Sequence, residues 1–173
     1  MIRLTFEPAF DPFHTIFRLL RLRTIIAKTG PLPRDHVRIL DFFLLFPFRI
    51  ASIRLAPHHR RYRKLASKYE AAKPYGEQPD DRLLFNRMEP IQVAALDTLS
   101  SHNLTDSDQW KLGEVRATAV LIPNPIAARV EQTNAADAEL IEFLGVLASE
   151  YELSGVNGLK GRTGLLEYRY DAI

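Results

Sequence analysis

The sequence predicts an α+β protein, mainly helical with short β-strands, built as winged-helix-like modules, two in tandem. Three observations lead there. Apolar residues recur at helical spacing through most of the 173 residues, helix-like stretches are each followed by a short strand or turn, and turn formers crowd residues 74–81. The expected division is a basic helical module over residues 1–73, a linker over 74–81, and a second winged-helix-like module over 82–173 with a C-terminal helix and strand.

The elements follow in order. Asp11-Pro12 signals a helix start, because the aspartate can accept from free N–H groups and proline suits the first turn. A helix from about Asp11 to Lys28 follows. Its spacing sets Phe13, Ile16, Phe17 and Leu20 on an inward stripe and His14, Arg18 and Arg21 on the opposite side. Gly30-Pro31 ends it. A second helix is expected over roughly Arg34 to Phe46, where Val37, Leu40, Phe43 and Leu44 share one side while Ile39, Phe42 and Phe46 widen the apolar arc. One small core does not cover such an arc, so Ile39, Phe42 and Phe46 are expected to form a protein interface. The competing reading covers them with the chain's own fourth helix or tail.

Pro47 stops this helix, and residues 48–55 suit a short helix or a strand, with helix favoured. After Pro57, residues 58–69 read as a basic amphipathic helix with Tyr62, Leu65 and Tyr69 inward. The second module opens with a turn of helix over 81–88 and a separate helix from Pro90 to Ser101, with Ile91, Ala94, Ala95 and Thr98 at helical spacing. Residues 113–123 alternate in part and read as a strand, and 134–150 read as an Ala/Glu/Leu-rich helix. Residues 159–170 read as a glycine-punctuated turn entering an alternating strand.

Composition restricts function. The chain is 46% hydrophobic, enough for a substantial core. It has no cysteine, which excludes disulfides, thiolate nucleophiles and Cys-based zinc sites and suits a cytoplasmic protein. Residues 1–8 do not read as a signal peptide, and the longest apolar run, Phe42 to Phe46, falls far short of the roughly 18 residues of a membrane span, so no membrane partner is expected. The net charge of +2 hides a segregation: residues 1–64 hold thirteen Lys/Arg against four Asp/Glu, and the remainder ten against seventeen. Such asymmetry favours a polyanion or an acidic protein as neighbour of the first part, or attraction between the two parts themselves.

No catalytic, cofactor or metal site is expected. His58-His59 lacks the i, i+4 spacing of helical metal ligands, and adjacent helical positions diverge by about 100°, so two solvated histidines are expected there. Residues 160–164 resemble a phosphate loop only faintly, since the G-x-x-x-x-G-K-[ST] pattern is absent. Asp97, Ser100 and His102 lie close in sequence, but no G-x-S-x-G elbow frames the serine. The remaining constellation is basic: Arg18, Arg21 and Lys28 on the first helix, and Arg60, Arg61, Arg63 and Lys64 beside Tyr62. It suits sequence-independent contact with double-stranded DNA, or docking on an acidic partner.

Phe10 to Thr15, Ile39 to Pro47 and Gly158 to Leu165, with Tyr168 to Asp171, resemble the small middle components of bacterial three-component systems built around an SMC-like ABC ATPase, a group that includes Lamassu-type antiphage defence. The resemblance spans nearly the whole chain. It implies a non-enzymatic subunit in antiphage or anti-plasmid defence. Such a subunit bridges ATPase heads and joins an effector, a nuclease or similar, to a DNA-sensing machine, much as winged-helix accessory subunits do in SMC complexes. The alternative is a free-standing winged-helix DNA-binding transcriptional regulator.

Overall fold

A computed structural model describes residues 7–167. The fold is mostly helical, with one two-stranded antiparallel sheet. Helix α1 (Pro12–Thr29) starts where expected: the Asp11 carboxylate accepts the His14 N–H at 2.8 Å, and Pro12 occupies the first turn. It stops at Gly30, whose φ of +86° lies in the range glycine favours and whose N–H donates to the Ile26 carbonyl. Strand β1 (Leu32–Pro33) leads into α2 (Arg34–Leu45), followed by a 3₁₀ segment over Pro47–Ser52. A second 3₁₀ segment, Pro57–Arg63, runs into the short α3 (Lys64–Lys68), with Tyr62 and Leu65 inward and Tyr69 half-buried.

Beyond the exposed stretch around residues 73–80 lies α4 (Asp81–Ser101), one continuous helix where a break before Pro90 is expected from sequence. Proline removes one backbone hydrogen bond. Here it does so on the exposed side, while Leu84, Phe85, Met88, Gln92, Ala95, Leu96 and Leu99 continue one buried stripe through it. Packing of that stripe outweighs the local penalty of about 3 kcal/mol. After α5 (Ser107–Lys111), strand β2 (Glu114–Val115) pairs with β1, Leu32 opposite Val115. The strand expected over 113–123 is thus confined to two residues, extended by a single bridge between Thr105 and Ala117. Helix α6 (Asn124–Ala136) is unforeseen from sequence, because only Val130 is buried and its apolar pattern is weak. Asp137 separates it from α7 (Ala138–Glu150). The chain then turns through α8 (Leu159–Thr163) to Gly164, which adopts the left-handed conformation. The C-terminal strand expected to reach Tyr170 lies partly outside the described residues.

The two expected modules share a core. One hydrophobic cluster runs from Ala9 to Leu165 and joins Leu22, Ile39 and Phe42 with Phe85, Phe143 and Leu147 from beyond the linker. Helix α1 packs against α2, α4, α6 and α7, and α2 against α4 and α7 as well. Among the described residues no β-hairpin wing forms, since β1 and β2 come from distant parts of the chain. The wide apolar arc of α2 is explained by this arrangement: every residue from His36 to Leu44 is buried, enclosed from several sides. Ile39 and Phe42 have no exposed surface, which corrects their assignment to an interface. Phe46 is half-buried, in edge contact with Phe42 and Phe48, and lines a cleft of about 560 Å³ with Pro8, Leu45, Phe48, Pro79 and Leu84.

Candidate functional site

Helix α1 is rotated relative to the expectation from its sequence. Its buried residues are Thr15, Arg18, Leu19, Leu20, Arg21, Leu22, Ile25 and Ile26, and Phe13 stands 82% exposed. The cause is a buried ion pair. The Arg18 guanidinium donates to both carboxylate oxygens of Asp41, at 2.6 and 3.1 Å, and also to the Pro8 carbonyl and Thr15 hydroxyl. Asp41 further accepts from the Gln92 amide at 2.8 Å, whose oxygen accepts from Arg38 at 3.0 Å. Arg38 closes the chain on Asp35 at 2.7 Å and on Glu89. Buried charges persist only when paired and hydrogen-bonded, and this network satisfies each of them.

Arg21 is buried too. It donates to Asp137 at 2.7 Å and to the Asn134 side chain at 2.8 Å, at the junction of α6 and α7. The Tyr69 hydroxyl donates to the other Asp137 oxygen at 2.8 Å; burial, then that hydrogen bond, raise its pKa well above the ordinary value. Arg18 and Arg21 are therefore internal ties, a correction to their placement in a surface cluster. The rest of that cluster is exposed: Lys28 near the end of α1, and Arg60, Arg61, Arg63 and Lys64 along the 57–68 segment. Even there α7 answers part of the charge, with Glu139 3.3 Å from Lys64 and Glu142 3.9 Å from Arg61. Lys28, Arg60 and Arg63 form no ion pair among the described residues.

Turning the arginines inward leaves an apolar groove outside. Phe13, Ile16, Phe17 and Leu20 of α1 face Pro125, Ile126 and Arg129 of α6 across a groove of about 410 Å³. The Arg129 guanidinium lies 5.8 Å from the centre of the Phe17 ring. Ile126 is itself exposed, and the loop entering α6 exposes Leu121 at 89%. Contiguous apolar surface of this kind marks a contact site. The sequence signal for it was α1's own apolar stripe, of which Leu20 is buried and Ile16 and Phe17 are half-buried against the core as expected, while Phe13 turns outward.

The sequence's catalytic candidates are engaged elsewhere. Asp97 accepts the Trp110 indole N–H, His102 bonds the Thr98 carbonyl through Nδ1, and Ser100 is buried, so the three form no relay. Residues 159–163 form a helical turn rather than a phosphate loop. His58 and His59 do not diverge into solvent as expected: their rings lie 3.9 Å apart and His59 is buried. Among the described residues, no helix is long and apolar enough to cross a membrane.

No curated protein and no solved structure matches the chain at a significant level. The family model for the ABC-three component (ABC-3C) system Middle Component 5 matches residues 4–171. That match takes in both sides of the 74–81 stretch and every element described above, and the chain belongs to this middle-component family.

Proposed function

We propose that the protein is a non-catalytic accessory subunit of an SMC-like ABC ATPase complex in antiphage or anti-plasmid defence, bridging ATPase heads and an effector such as a nuclease. The α1–α6 groove is its main docking site, and the partner seated there is the ATPase subunit, presenting an apolar side-chain row. The observation that carries this is the outward face of α1: Phe13 is exposed on a helix that buries two arginines, in a protein whose family is named as one component of a multi-component system. Lining the groove with apolar groups gives a partner somewhere to bury them, while Arg129 at the rim fixes orientation.

The basic row supports a secondary contact. With Arg61 and Lys64 partly answered by α7, Arg60 and Arg63, which form no ion pair among the described residues, suit an acidic patch on the same partner better than a DNA backbone, which needs many cations to hold at physiological salt. Double-stranded DNA binding by the isolated protein should therefore be weak and lost between about 50 and 200 mM salt. Fluorescence anisotropy with a labelled duplex measures this, and tight binding that survives the higher salt would favour the transcriptional-regulator reading. The docking assignment is tested by replacing Phe13 and Ile126 with Ser. The variant should fold and fail to bind the ATPase subunit, whereas retained binding would place the contact elsewhere.

A further inference from the structure

We infer that His58, His59 and Glu150 form a binding site for a divalent transition-metal ion of the zinc type, which clips the 57–63 segment to the C-terminal end of α7. One ligand atom from each of the three residues lies within 4.8 Å of the others. The His59 Nε2 and a Glu150 carboxylate oxygen are 3.1 Å apart. Two ligands held roughly 2.0–2.1 Å from one tetrahedral zinc ion are about 3.3 Å apart, so this pair already has the span of a site edge. His58 is exposed and closes the remaining distance by rotating its side chain.

The surroundings fit a ligand set. His59 Nδ1 lies 2.8 Å from the Tyr151 hydroxyl, which also accepts the Ala56 N–H at 3.0 Å. With metal bound, Nδ1–H donates to that hydroxyl, which fixes the tautomer and turns the Nε2 lone pair toward the ion, the usual support for a ligating histidine. Glu150 is the last residue of a 13-residue helix, where the partial negative charge of the helix end favours a cation. Two imidazoles and one carboxylate are donors zinc accepts, and three protein ligands leave a fourth position open. That position faces a cleft of about 400 Å³ lined by Glu152, Ser154 and Asn157, open to water or to a side chain from a docked component.

The test is calorimetric titration of the full chain, stripped with chelator, with zinc chloride alone. We expect one equivalent bound per chain, and affinity lowered at least tenfold in both H58Q and E150Q. Both side chains are exposed, so these variants keep the fold, verified by circular dichroism. Cobalt(II) in the same site should give the strong visible absorption of a four-coordinate ion. Absence of stoichiometric zinc uptake by the wild type, or uptake unchanged in the H58Q/E150Q double variant, would overturn the assignment.

Discussion

Arg18 and Asp41 hold the most consequential pairing in the core, and neither announces it in the sequence. An arginine on an amphipathic helix is read as outward because its partner, 23 positions away, is invisible to periodicity. Replacing Asp41 with Ala leaves the buried Arg18 guanidinium without its carboxylate partner, with only the Pro8 carbonyl and Thr15 hydroxyl as acceptors, and should cost about 3–5 kcal/mol in urea unfolding. His36 supplies a pH dependence. Its Nε2 is 2.9 Å from the Leu147 carbonyl, and burial, the largest influence, holds its pKa below the usual 6.5 despite that bond. The unfolded chain takes up a proton near pH 6.5 that the folded chain refuses. Stability should therefore be full above that pH and fall as the pH drops below it. Comparing urea midpoints at about pH 7.5 and 5.5 checks this, and His36→Gln should flatten the decline.

At the scale of elements, the bounds of α1 and the inward faces of α2 and of the 57–68 segment were legible, while the face of α1 was legible only in part. Asp11-Pro12 and Gly30 bracket α1 as their chemistry dictates, yet the rotation of α1 follows from tertiary pairing. Pro90 reads as a boundary, but α4 passes through it because both halves share one buried stripe. Helix α6 escapes notice for want of a strong apolar stripe, and it forms half of the candidate groove. The F13S/I126S pair should leave the unfolding free energy within about 1 kcal/mol of wild type, as expected for two exposed positions, while abolishing docking. Gly158 makes the opposite kind of prediction. A Cβ there would sit 2.2 Å from the Ser154 carbonyl oxygen, so G158A must displace the backbone that seats the fully buried Leu159. Thermal unfolding should show a loss of about 1–3 kcal/mol.

For the whole molecule, the segregated charge works largely inside the chain. Arg21 meets Asp137, Arg38 meets Glu89, Arg49 meets Asp81 and Lys64 meets Glu139, each tie joining the basic first part to the acidic remainder. That attraction was one of two readings open to the sequence, and these pairs realise it around a core that is itself apolar. Composition and helical periodicity were enough for a mainly helical chain with a small sheet but not for its modular architecture, and the joint core depended on contacts across the 74–81 stretch that no local pattern records. The proposed role rests on docking to an ABC ATPase through the α1–α6 groove. The most direct measurement is affinity purification of the tagged protein and of its F13S/I126S variant from the native host at mild salt, with co-eluting chains identified by mass spectrometry. Docking through this groove should bring down a stoichiometric ATPase with long coiled-coil segments on the wild type and lose it from the variant; a clean homodimer without ATPase from the wild type would overturn it.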